Sequence, residues 1–347
     1  MKAKKWNIIV LVTSLLMLLG IAGATVIIDP FLHYHQPLGF LEYPLKDERY
    51  QNDGITRHFE YDALITGTSM TQNFKPSEFD ALWGTQTIKA SYSGATYHEL
   101  NEHIRRALEY NSDIKYVLCS LDGTRLIADA KEYGYEGNPD YLYDDNPFND
   151  VEYLLNKEVV PKTIAVVNYT RAGEKTPTMD EYGNWNPYMT FGRDAVVNSF
   201  TLQPIREEEV VLSEEEIRMI QENVSENFLA TAQAHPDTQF ILFFPPYSIC
   251  YWEGLVRGKQ LNSQLQAEEM ATELLLSAEN IRLFSFSDRI DIIDNLDNYG
   301  DTLHYGEWIN SEMLQCMALG EGELTKENYK EFFEGIRALY SNYTFDY

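Results

Sequence analysis

The pattern of apolar and polar positions opens with an uncharged run over residues 6–28, preceded by Lys2, Lys4 and Lys5. These 23 residues are enough to cross the hydrocarbon core of a bilayer. Lysines on the N-terminal side place that end in the cytoplasm and the remainder outside. The reading predicts a cytoplasmic tail over 1–5, a transmembrane anchor over 6–28 and a juxtamembrane segment over 29–60. Ala22-Gly23-Ala24 offers the competing reading, the cleavage site of a secretory signal peptide. The run continues through Val26-Ile27-Ile28 to spanning length, which favours an uncleaved anchor. No second apolar run is long enough to cross, so the chain is expected to pass the membrane once, with its bulk extracytoplasmic.

Asp29-Pro30-Phe31-Leu32-His33-Tyr34-His35-Gln36-Pro37 then reads as extended chain, because two prolines and clustered aromatics break any regular period. From about Tyr61 the pattern becomes α/β. Short apolar runs at 62–66, 86–92, 115–121, 239–244 and 281–286 predict strands. Helical patterns fall at 77–83, 96–110, 213–235 and 260–278, with two closing helices near 306–319 and 325–340. In the second of these helices Leu100, Ile104 and Leu108 share one face. Ser213 three residues before Glu216 is a capping box. Strands alternating with helices imply a parallel sheet with helices on its faces, in an α/β domain over 61–347.

The alternation breaks over about 127–211, which is rich in Tyr, Asn, Asp, Gly and Pro, as in residues 133–141. That is too long for a plain loop in a compact domain, and reads as an insertion covering one end of the sheet. Short helices are expected within it at 149–155 and 161–168. A surface excursion and a substrate lid with aromatic positions such as Trp185 and Tyr188 both fit.

Composition narrows the function classes. Hydrophobic residues are 44% of 347, enough for a sizeable core. The formal net charge is −27, a field that repels a phosphate backbone, so nucleic acid is excluded as a partner. The three cysteines, Cys119, Cys250 and Cys316, are odd in number and form no C-x-x-C, which argues against a disulfide framework or a zinc cluster. His33 and His35 have no third ligand near in sequence. His98 and His103 are five apart, so they do not share a helix face. No metal and no cofactor are expected.

Two short motifs carry chemistry. Gly67-Thr68-Ser69 follows the apolar run Ala63-Leu64-Ile65, and Asp301-Thr302-Leu303-His304 follows the last expected strand within twenty residues. Of seven histidines only His304 has an aspartate three residues before it, and the chain has one Gly-x-Ser. A serine hydroxyl needs a base to become a nucleophile, and the base needs a group to orient it. Ser69, His304 and Asp301 supply these three parts. The crevice beyond the carboxyl ends of the strands is where ligands bind in open α/β sheets. At that edge the backbone N–H groups of Ser69 and Gly94 are the expected oxyanion donors. Tyr247 and Ser248, after the fourth strand, are candidates for lining the substrate pocket.

These blocks resemble the SGNH/GDSL hydrolase superfamily. Its Gly-Asp-Ser block matches Gly67-Thr68-Ser69, its second-block glycine matches Gly94, and its Asp-x-x-His block matches Asp301 and His304. The resemblance spans roughly residues 60–318 and implies a flavodoxin-like α/β/α sandwich and a metal-free serine esterase or acyltransferase. The third block departs: where the family has Gly-x-Asn-Asp this chain reads Leu121-Asp122-Gly123-Thr124, without the oxyanion asparagine. Asn73 is a substitute by position. With a single anchor, the chain is similar to the extracytoplasmic branch of the superfamily, which includes the D-alanine transfer protein of teichoic acid synthesis and polysaccharide O-acetyltransferases. The resemblance implies an acetyl or D-alanyl group removed from or transferred to a cell-surface glycan or teichoic acid, with a membrane-bound acyltransferase as a candidate partner. The alternative is a non-catalytic glycan-binding or assembly-accessory protein on the same fold.

Overall fold

The computed structural model describes residues 2–135, 139–144 and 146–347. Met1 of the expected tail, and residues 136–138 and 145 of the expected insertion, lie outside the described residues. The chain begins with α1 (Lys2–Ile28) and α2 (Glu48–His58). The α/β run follows: β1 (Ala63–Thr66), α3 (Pro76–Trp83), β2 (Thr87–Lys89), α4 (Tyr97–Tyr110) and β3 (Tyr116–Ser120). Next come α5 (Val151–Leu154), α6 (Val159–Ala172), α7 (Arg193–Ser199), α8 (Glu214–Val224) and α9 (Ala230–Ala234). The C-terminal part holds β4 (Gln239–Phe244), α10 (Ile249–Arg257), α11 (Leu261–Leu275), β5 (Ile281–Ser285) and α12 (Ile290–Ile293). It closes with α13 (Glu307–Leu319), β6 (Glu323–Leu324) and α14 (Tyr329–Ser341).

These elements form two compact units, one of residues 1–59 with 137–178 and one of 60–136 with 179–347. The expected single insertion is thus divided: its middle belongs with the N-terminal segment and its last third with the sheet.

In the larger unit the strand order is β2-β1-β3-β4-β5-β6, parallel throughout except for β6, which pairs antiparallel with β5. The central strands are apolar along their length, and consecutive residues, which point to opposite faces, are buried alike. Val117, Leu118 and Cys119 of β3 and Ile241, Leu242 and Phe243 of β4 are all fully buried. Local signals set the helix ends. Thr96 and Glu99 form a reciprocal capping box on α4, and Ser213 and Glu216 form another on α8. Pro76 opens α3, where its missing N–H costs nothing. Trp252 of α10 stacks on Tyr340 of α14, ring centroids 4.1 Å apart.

One buried cation stands out beside the sheet. Lys89 is 1% exposed, and its Nζ donates to the carbonyls of Gln72 at 2.6 Å, Phe74 at 2.9 Å and Asp180 at 3.2 Å. The ammonium ties the turn after β1 to the start of the 179–192 segment. Lys89→Met strands those carbonyls without their donor, and should cost about 1–3 kcal/mol in chemical unfolding. A midpoint equal to that of the wild type would remove Lys89 from this role.

In the smaller unit α1 is an apolar helix, long enough over Ala3–Ile28 to cross a membrane. The chain leaves it through a polar knot. Asp29 is fully buried and accepts N–H groups from His33, Tyr34 and His35 and the Tyr153 hydroxyl at 2.6 Å. The expected juxtamembrane segment over 29–60 contains α2, which has no apolar period because its buried residues are Gln51, Asn52, Asp53, Gly54, Ile55 and Thr56. Gly54 is required there: a Cβ would lie 2.3 Å from the Leu32 carbonyl oxygen.

Candidate active site

β1 delivers the chain to Gly67, whose φ of 134° suits glycine. A Cβ there would meet Thr71 Cγ2 at 2.7 Å and Ser120 Oγ at 2.8 Å, so the glycine also serves close packing. The following turn is knotted by hydroxyls. Thr71 Oγ1 donates to the Thr68 carbonyl at 2.9 Å, and the Met70 N–H donates to Thr68 Oγ1 at 3.3 Å. Met70 and Thr68 are buried by this packing, and Ser69 between them is left partly exposed. The Met70 carbonyl accepts from the Asn310 amide at 3.1 Å.

The second half of the site comes from the loop after β5. Tyr299 and Tyr305 pair as an isolated antiparallel bridge, and the Gly300 N–H donates to the His304 carbonyl at 2.9 Å. Between them Asp301 folds back on its own loop. Its Oδ1 accepts the N–H groups of Leu303 and His304, each at 2.8 Å, and its Oδ2 lies 2.7 Å from His304 Nδ1. His304 Nε2 lies 2.8 Å from Ser69 Oγ, 235 residues away in sequence. The three sequence-predicted residues therefore form one continuous chain of hydrogen bonds. Burial pushes the Asp301 carboxyl up, but the His304 ring and the two backbone N–H groups outweigh it and hold the pKa below the usual carboxylate range. An ionised carboxylate at Nδ1 keeps the ring proton on that nitrogen and leaves Nε2 to accept from serine.

Asp122 follows β3, in the block that departs from the expected Gly-x-Asn-Asp, and its carboxylate is not free. Thr68 donates to Oδ2 at 2.5 Å and Tyr247 donates to Oδ1 at 3.0 Å. Burial raises its pKa, against the opposing pull of the two hydroxyls. Asp122 thus anchors the Ser69 turn through Thr68. Thr68→Val keeps the shape and removes that donor. It is expected to lower stability by about 1–3 kcal/mol, because a buried carboxyl oxygen loses its partner. Thermal unfolding measures it, and an unchanged Tm would refute the anchoring role.

The remaining expected residues are distributed as follows. Gly94 is exposed in a turn at φ 69°, its carbonyl accepting from Arg125 at 3.2 Å. The Tyr92 N–H donates to the Gly67 carbonyl at 2.8 Å, which lays the segment leading to Gly94 beside the Ser69 turn. Asn73 is 1% exposed; its Oδ1 accepts the Trp185 N–H at 3.1 Å, and its Nδ2 has no hydrogen-bond partner. Tyr247 and Ser248 are both buried, and each hydroxyl is committed within the protein. Tyr247 holds Asp122, and Ser248 donates through Oγ at 2.8 Å and through its backbone N–H at 3.1 Å to the Thr302 carbonyl. Ser248 therefore fixes the loop that carries Asp301 and His304, rather than presenting its hydroxyl to a pocket.

Trp185 is the contact that sequence spacing did not locate. Its Nε1 donates to the Ser69 carbonyl at 3.0 Å, and its ring meets His304 edge-on with centroids 5.4 Å apart. Phe191 stacks on Trp185 and contacts Trp308, extending an aromatic wall beside the histidine. The expected insertion thus supplies side chains to the site, and the signal available was its aromatic content alone.

No protein-family model matches the chain, and no curated protein matches it. Among solved structures the chain is similar to one provisionally described as a platelet activating factor from Streptococcus pneumonia, with a TM-score of 0.38 and 10% identity. That similarity covers 79% of this chain and 90% of the other.

Proposed function

We propose that this chain is a membrane-anchored serine enzyme of the SGNH type with a flavodoxin-like sandwich. It removes or transfers an acyl group of the acetyl or D-alanyl class on a cell-surface glycan or teichoic acid. The observation that carries this reading is the unbroken path from Ser69 Oγ through His304 to Asp301. Ser69 Oγ attacks the ester carbonyl while His304 Nε2 takes its proton; His304 then gives that proton to the departing alkoxide. The resulting acyl-Ser69 is resolved by water or by a sugar hydroxyl through the same steps in reverse. The backbone N–H groups of Ser69 and Gly94 are the oxyanion donors in this reading. Asn73 joins them by reorienting its unpaired Nδ2 toward the oxyanion.

The three lysines that precede the apolar run 6–28 support an extracytoplasmic site. The aromatic wall of Trp185, Phe191 and Trp308 suits the apolar faces of sugar rings. The reading is tested with full-length protein in detergent, p-nitrophenyl acetate as donor and oligosaccharides as acceptors. Release of nitrophenol that depends on Ser69 supports it, and acetylated oligosaccharide identifies transfer. Wild-type protein that releases nothing, or release that is indifferent to Ser69, defeats it.

A further inference from the structure

The turn that carries Ser69 has its carbonyls held one by one. The Thr68 carbonyl accepts from the Thr71 N–H at 3.1 Å and from Thr71 Oγ1 at 2.9 Å, and the Met70 carbonyl accepts from the Asn310 amide at 3.1 Å. The Ser69 carbonyl between them accepts from Trp185 Nε1 at 3.0 Å. Trp185 is partly exposed, so water would satisfy its N–H. The N–H is turned instead to the peptide that carries the serine. The same indole packs at 89° against the His304 ring, centroids 5.4 Å apart. One side chain thus touches both members of the pair whose Oγ and Nε2 meet at 2.8 Å.

The segment around Trp185 is tied to both halves of the site. On the Ser69 side the Trp185 backbone N–H donates to Asn73 Oδ1 at 3.1 Å, and the Asp180 carboxylate accepts from the Ser77 N–H at 3.0 Å and hydroxyl at 2.6 Å. On the His304 side the Gly192 N–H donates to the Tyr299 carbonyl at 2.9 Å, at the base of the histidine loop. Between them Asn184 donates to Glu307 Oε2 at 2.8 Å, and Asn186 Oδ1 accepts the Glu307 N–H at 2.9 Å. The indole therefore stands on a frame fixed at both ends. We propose that Trp185 is a positioning residue for the Ser69–His304 pair: its N–H fixes the Ser69 peptide, and its ring keeps the imidazole at the rotation that faces Ser69 Oγ. Attack geometry is steep, and a displacement of about 1 Å costs about 100-fold in rate. The inference rests on the serine-enzyme reading and gives Trp185 a role separate from contact with a sugar ring.

The test uses full-length protein in detergent and a short alkyl fluorophosphonate, a probe with no sugar to contact. Inactivation at Ser69 is followed to give kinact and KI. Trp185→Phe keeps an aromatic ring beside His304 and removes the N–H donor. A benzothienyl isostere at Trp185 keeps the bicyclic shape as well and lacks only that donor, so it preserves the fold. Each should lower kinact by about tenfold, the worth of one hydrogen bond, with KI within about twofold of the wild type. Trp185→Ala removes both constraints and should lower kinact by about 100-fold. An isostere with wild-type kinact, or a loss carried wholly by KI, overturns the positioning role and leaves the serine-enzyme reading intact. A folded wild type that is not labelled at Ser69 overturns that reading, and this inference with it.

Discussion

Ser69→Ala is expected to lower p-nitrophenyl acetate turnover by about 1,000-fold or more, on the scale of losing the nucleophile of a serine triad. The geometry makes the expectation specific. Ser69 Oγ meets His304 Nε2 at 2.8 Å, and neighbouring hydroxyls are committed elsewhere, Thr68 to Asp122 and Thr71 to the Thr68 carbonyl. His304→Ala should cost about as much, and the double variant little more than either, because the pair acts as a unit. Alanine at Ser69 removes one partly exposed oxygen, so the unfolding free energy should stay within about 0.5 kcal/mol of the wild type. A loss of activity accompanied by unfolding would instead point to damage in the turn.

Asp301→Asn is the second large effect, about 1,000- to 10,000-fold in kcat on the same scale. The backbone N–H groups of Leu303 and His304 can still donate to the amide oxygen, so the loop is held. The amide nitrogen then faces His304 Nδ1 and donates to it, which moves the ring proton to Nε2 and leaves nothing to accept from Ser69. The pH dependence has a definite sign. The folded pKa of Asp301 lies below its unfolded value, so its stabilising contribution is complete above the unfolded value, near 3.9 for a free aspartate. It is lost as the pH falls through the lowered folded value. Acid unfolding of the wild type should therefore carry this contribution and that of Asp301→Asn should lack it. An asparagine variant with full kcat would remove Asp301 from the mechanism.

The strands were legible because buried parallel strands read as apolar runs. The run at 239–244 coincides with β4, and those at 62–66 and 281–286 differ from β1 and β5 by one residue at an end. The run at 86–92 shortened to β2, although Ala90 and Tyr92 beyond it still donate to the Ile65 and Gly67 carbonyls. The two residues of β6 are too few for any period. α2 was hidden by its polar buried face. The helix expected over 213–235 contains a π turn at Ser225–Leu229 between α8 and α9, which side-chain periodicity does not encode. The three residues that hydrogen-bond in series, Ser69, His304 and Asp301, were readable from types and spacing, since the chain has one Gly-x-Ser and one Asp-x-x-His to be joined. The contacts that hold them were not. Trp185 reaches the Ser69 carbonyl across 116 residues, and Asp122 reaches Thr68 across 54. Such pairings depend on the closed fold.

The central claim is that His304 activates the Ser69 hydroxyl. Its most direct measurement is covalent labelling of the full-length protein by a fluorophosphonate, with the modified peptide identified by mass spectrometry. The account predicts a single adduct on Ser69 that disappears in His304→Ala. An unlabelled Ser69 in the folded wild type, or labelling that persists without His304, would contradict it.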